Sequence, residues 1–243
     1  MYSLFVKEIR SFLSSLIGYI VIVVFLLAIS LFMWIIRGGT NVLDVGYANI
    51  DTLFSIGPWV FLFLIPAITM RSFADEKKSG TIELLLTRPL TDMQIILAKY
   101  FAGIILVAIS ILPTLVYYYS VWRLGAPVGN IDSGGTWGSY LGLMFLGASF
   151  VSVGIFSSSI TDNQIVSFII SLALCFLCYT GFEQISSLSF FGTSDTVIQT
   201  LGINEHYNSI SRGVIDTRDV VYFFSFNGFF ILLTRTVLES RKW

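Results

Sequence analysis

The stretch DEKKSGTIELLLTRPLTD, residues 75–92, separates two long apolar runs, and its reading decides how the rest of the chain is arranged. Only 12% of the 243-residue chain is charged. Yet Asp75, Glu76, Lys77, Lys78, Glu83, Arg88 and Asp92 crowd together here around an apolar IELLL. Residues 52–70 before the stretch and 100–122 after it carry no charged side chain. A helix rises about 1.5 Å per residue and a hydrocarbon core is about 30 Å thick, so each run can cross a membrane. The charged stretch is then the wet turn of a transmembrane hairpin.

The rest of the chain repeats the pattern. It is 55% hydrophobic, with a mean hydropathy of +0.83, too apolar for a soluble domain to cover with polar surface. Residues 11–36, 133–161 and 163–182 are also free of charge, and 220–234 is a shorter run. The last reaches spanning length if Arg235 snorkels and Thr236, Val237 and Leu238 join its helix. The expectation is an all-α integral membrane protein, one domain over 1–243, with spans at about 14–36, 53–72, 93–120, 137–157, 162–184 and 219–238. The first run is longer than a signal-peptide core and lacks a cleavage site, so it is read as a retained anchor.

Lys and Arg set the orientation. One side would carry Lys7, Arg10, Arg71, Lys77, Lys78, Arg88, Lys99, Arg235, Arg241 and Lys242; the other carries only Arg37, Arg123, Arg212 and Arg218. Both termini and the 73–92 segment are therefore expected in the cytoplasm, with 187–218 outside.

Local patterns fill in the scheme. In MYSLFVKEIRSFL, residues 1–13, Tyr2, Phe5, Ile9, Phe12 and Leu13 share one face and Lys7 and Arg10 another, which reads as an amphipathic helix in the interface. LTDMQII (90–96) offers Thr91 as N-cap with Gln94 three residues later, a capping box, and ITDNQIV (160–166) repeats it with Thr161 and Gln164. Tyr117, Tyr118, Tyr119, Trp122, Trp137 and Tyr140 read as an aromatic belt. Gly138, Gly142, Gly147 and Gly154 are spaced for close helix packing, within the bundle rather than across a dimer seam. In the outer segment, TSDTVIQTLGI is read as a short helix capped by Ser194 or Asp195.

Chemistry is sparse. No Walker A, nucleophile-elbow or zincin motif occurs, and the single His206 is read as a surface or loop residue. Cys175 and Cys178 lie at membrane depth without a second ligand pair and read as core residues. Nucleic acid is not an expected partner; the lipid bilayer is. Glu183, at the outer end of the fifth run, is the one candidate for a pathway residue, with a place at headgroup level as the favoured alternative.

Within 75–92, Ser79-Gly80 breaks a helix that continues the second span through Arg71 and Phe73. TIELLLT forms about two turns from Thr81, and Pro89 stops them. Ile82, Leu85 and Leu86 can face the bundle while Glu83 and Thr87 face outward. Leu84, which does not share the inner face, sits beside Glu83 as a surface for a partner; resting on lipid is the alternative.

FADEKKSGTIELLLTRPLTDMQIILAKY (73–100) resembles the cytoplasmic-loop signature of type-2 ABC transporter permeases. The matching residues are Asp75, Glu76, Gly80, Thr81, Glu83, Leu84, Leu85, Pro89 and Lys99. SRGVIDTRDVVYF (211–223) and the final LESRKW are also similar to that class, and the whole chain resembles the gliding-motility-associated permease subunit of Bacteroidetes. The resemblance implies six spans, an interfacial helix, and a coupling helix that docks on a separate ATPase holding ATP and Mg. It further implies a second permease, identical or related, and in the gliding system a larger membrane subunit. It places the chain in the bacterial inner membrane as an exporter-like permease with no catalytic site of its own. The competing expectation is a membrane scaffold or anchor for motility or secretion machinery that moves no substrate.

Overall fold

Asp51 stands at the start of the second apolar run, and from there a helix continues to Thr69 with Pro58 and Pro66 inside it. Prolines are tolerated in such a helix only where something else satisfies the carbonyl each one orphans. At Pro58 that carbonyl is Phe54, and the buried hydroxyl of Tyr207 donates to it at 2.6 Å. The computed structural model describes residues 1–81, 91–187 and 199–240.

Among the described residues six helices are long and apolar enough to cross a membrane: Leu16–Ile35, Asp51–Lys78, Asp92–Leu124, Ser133–Ile160, Gln164–Ser187 and Thr217–Glu239. They are the first to sixth spans below. An even number of crossings brings both chain termini to one end, here the terminal end; the opposite one is the far end. The sixth helix does run through Arg235 to Glu239, and the Arg235 guanidinium pairs with the Glu239 carboxylate at 2.8 Å.

The fourth span is the axis of the bundle, 78% buried, against 22% for the sixth and 28% for the first. Its glycines explain why. Gly138 leaves room for the backbone of Gly213, Gly142 for Ile210, Gly147 for Val107 and Gly154 for Thr69. All four contacts lie within the chain, so the small-residue face packs this bundle. Asp132 caps the helix, its carboxylate accepting from the Gly135 N–H at 3.0 Å.

The N-terminal helix, Tyr2–Leu13, lies against the third span. Its inward residues include Leu4, Glu8 and Phe12, whereas Tyr2 is exposed. Cys175 and Cys178 are buried free thiols. Two residues of the aromatic belt belong to the bundle rather than its rim. Tyr140 is buried against Phe54, and Tyr117 donates to the Leu26 carbonyl of the first span.

Three sequence expectations need correction. The second span does not continue smoothly past the membrane: a turn at 70–73 separates it from a short helix, Ala74–Lys78. Thr161 does not cap the fifth span. Asn163 does, accepting from the Ile165 N–H at 2.9 Å, because an Asn side chain next to the helix start outcompetes a Thr two residues away. Gln164 is free to leave its own backbone and donates to Asp75. His206 is not a loose surface residue. Its ring stacks on Tyr222 with centroids 3.9 Å apart, Nδ1 lies 2.7 Å from Asp219 Oδ1, and Nε2 lies 2.9 Å from the Thr200 carbonyl. The expected helix within 193–203 falls partly outside the described residues. The helix seen at the far end is Ile203–Ile210, whose buried face is Ile203, Tyr207 and Ile210.

Candidate functional site

The terminal end of the second span is built from a backbone that runs out of its own hydrogen bonds. At the 70–73 turn the helical ladder fails, and the short helix after it starts with orphan N–H groups. Ser158, fully buried on the fourth span, repairs the break. Its hydroxyl oxygen accepts from the N–H groups of Phe73 at 2.9 Å and Ala74 at 3.0 Å, and donates to the Met70 carbonyl at 3.1 Å. One side chain thus locks both strokes of the turn to the bundle axis.

The charged residues of the short helix then spread outward to other elements. Asp75 accepts from Gln164 on the fifth span, and Lys77 donates to the Ser159 carbonyl at the end of the fourth. Glu76 lies 3.0 Å from the Lys99 ammonium on the third span. Lys99 also reaches Glu8 of the N-terminal helix at 3.1 Å and the Ser72 carbonyl at 2.7 Å, and its ammonium sits 5.0 Å from the centre of the Phe73 ring. Its side chain is 1% exposed. A lysine so buried needs its charge matched, and two carboxylates and a carbonyl do that. Lys7, 3.7 Å from Glu76, brings the group of four to electrical balance.

Ser79 ends the short helix, its hydroxyl donating to the Asp75 carbonyl at 2.7 Å. Gly80 follows with φ +69°, a left-handed turn open to glycine and strained for a branched residue. Thr81 lies 2.9 Å from the Ser79 hydroxyl. The segment 82–90, with Glu83, Leu84, Leu85 and Pro89, lies outside the described residues. At its far side Thr91 and Gln94 form a reciprocal cap: Thr91 Oγ1 accepts from the Gln94 N–H at 3.3 Å, and Gln94 Oε1 accepts from the Thr91 N–H at 3.2 Å. Both ends of 82–90 are therefore fastened to the bundle.

Of the residues singled out in this loop, Asp75 and Glu76 turn inward and bind the chain to itself. Sequence reasoning missed Glu8 and Ser158. A readable signal existed for the first: Lys99 is a lysine eight residues into a span, which demands a buried acid, and Glu8 is the only acid before Asp44.

Glu183 is placed elsewhere. At the far end it lines a cavity of about 780 Å³ between the second, fourth and fifth spans and the helix Ile203–Ile210. Its carboxylate accepts from Asn204 at 2.7 Å. Among the described residues no cluster of His, Cys, Asp or Glu is arranged to hold a metal ion.

Six apolar crossing helices define a multi-pass membrane protein. Residues 40–214 match the family described as ABC-2 family transporter protein, and the chain belongs to that family. It is thus a permease subunit of an ABC transporter, a class that works with an ABC ATPase and moves a substrate rather than transforming it. No curated protein matches the chain.

Proposed function

We propose that this permease couples ATP hydrolysis on a separate ATPase subunit to substrate movement in a gliding-motility-associated system of the bacterial inner membrane, with the loop 73–92 as the coupling site. One observation carries the coupling. The short helix Ala74–Lys78 is bonded to the third, fourth and fifth spans and to the N-terminal helix. A displacement of 82–90 by a docked partner would therefore pull on the bundle as a whole, because a hydrogen-bonded and ion-paired junction moves as a unit. Glu83 and Leu84 would meet the ATPase, with Gly80-Thr81 and Pro89 shaping the segment. A second permease, identical or related, would complete the pathway, and a larger gliding-associated subunit would join it. The assignment to gliding rests on the likeness of the whole sequence to that branch.

The test is Glu83→Lys in the complex purified from native membranes. Membrane insertion should be unchanged, while ATPase co-purification or substrate-stimulated hydrolysis is lost. Normal co-purification with normal stimulation would refute the coupling role. A complex whose hydrolysis ignores every substrate would point instead to a scaffold. Loss of gliding on deletion of the gene, restored by the intact chain only, tests the system.

A further inference from the structure

The far-end cavity carries an unbalanced charge. Asp51 opens the second span, Asp132 caps the fourth, and Glu183 lies near the end of the fifth; all three line the same space of about 780 Å³. Among the described residues the one cationic side chain on its wall is Arg212. Each carboxylate is held by a neutral donor: Asp51 by Asn49 at 2.9 Å, Asp132 by the Gly135 N–H at 3.0 Å, Glu183 by Asn204 at 2.7 Å. Among the described residues none of the three forms an ion pair. The terminal end is the opposite case, with every acid of its core cluster beside a lysine. The far-end field is therefore left negative, and a cavity with such a field concentrates cations and repels anions.

Two observations decide what kind of cation. Among the described residues no three of the His, Cys, Asp and Glu side chains form a group that could hold a metal ion. The space is also many times the volume of an ion and falls in the range of about 300–1,000 Å³ that holds small organic ligands. Aromatic rings, among them Trp59 and Tyr179, form part of the remaining wall. Trp59, 48% exposed, meets Tyr179 edge-on with ring centres 5.8 Å apart. An indole ring on the wall of a cavity that also holds carboxylates can attract an organic ammonium through its quadrupole and pack against its apolar body.

We propose that this cavity binds an organic cation, its charge among Asp51, Asp132 and Glu183 and its apolar part on Trp59 and Tyr179. The proposal names a cargo class for the transport reading and rests on that reading for its meaning. Binding itself requires only this chain.

The experiment uses the purified permease in nanodiscs with radiolabelled tetraphenylphosphonium, in equilibrium dialysis against empty nanodiscs. Saturable binding is expected, weakened about tenfold by Glu183→Gln or Asp51→Asn and by Trp59→Leu, with Trp59→Phe retaining most of it. Unfolding midpoints of the variants show whether each is folded, and the two acid variants give independent tests. Binding that is absent, or unchanged in both folded acid variants, overturns the proposal. So does stronger competition by maltose or by anionic fluorescein than by a second organic cation. If binding is lost in the predicted way while Glu83→Lys leaves the ATPase coupled, only the coupling reading falls. If Glu83→Lys uncouples and no cation binds, only the cargo class falls.

Discussion

The hydroxyl of Tyr207 donates at 2.6 Å to the backbone carbonyl of Phe54, the one that Pro58 leaves without an intrahelical donor. A residue on the far-end helix thereby completes the hydrogen bonding of the second span. Tyr207→Phe should cost about 1–3 kcal/mol, because a buried carbonyl is left unsatisfied. In a Pro58→Ala background the substituted residue supplies its own backbone N–H, so the same change should cost much less. A double-mutant cycle of chemical unfolding in detergent measures this, and additive costs would contradict it.

The same hydroxyl gives a pH dependence. Burial first, and then the neighbouring Tyr179, push Tyr207 well above the ordinary tyrosine range. The folded chain therefore keeps a proton that the unfolded chain releases near pH ~10. The stability this group contributes is full below that pH and declines as pH rises beyond it. Unfolding midpoints measured between about pH 9 and 11 should fall more steeply for the native chain than for Tyr207→Phe.

Lys99 is expected to be the most sensitive residue of the terminal end. Lys99→Ala strands Glu8 and Glu76 and should cost about 3–5 kcal/mol. Glu76→Gln leaves Glu8 beside the ammonium and should cost less. Thermal unfolding of the two variants in one detergent checks the order; equal costs would show that Glu8 carries no part of the pairing.

Gly154→Ala places a methyl group against the hydroxyl of Thr69, where the second and fourth spans touch. Overpacking at such a contact costs about 1–3 kcal/mol. Thr69→Ala removes the colliding atoms and should restore part of the loss, which distinguishes a local clash from a general intolerance of the helix.

Gly80 separates conformation from space. Nothing lies within 4 Å of a Cβ built there, but its φ is +69°. Gly80→Asn should keep ATP hydrolysis coupled to substrate, since Asn tolerates the left-handed region, whereas Gly80→Val should uncouple it. Substrate-stimulated ATPase activity of the complex reads the difference, and equal behaviour of the two variants would remove Gly80 from the coupling argument.

The six spans, the reciprocal cap at Thr91 and Gln94 and the break at Gly80 were legible because each is set by residues adjacent in sequence. A run of apolar side chains reads as a crossing wherever it packs, and a cap joins groups three residues apart. The second capping box failed for the opposite reason. Its local pattern was sound, but Gln164 finds Asp75, 89 positions away, and Asn163 takes the cap. Ser158 at the turn, Glu8 at Lys99 and Tyr207 at Pro58 are all satisfied at comparable or greater range. The sequence by itself determined that this chain has six segments long and apolar enough to cross a membrane. Only the tertiary structure decided which buried polar group meets which, since a desolvated donor or charge accepts any geometrically suitable partner and the folded bundle alone supplies the geometry.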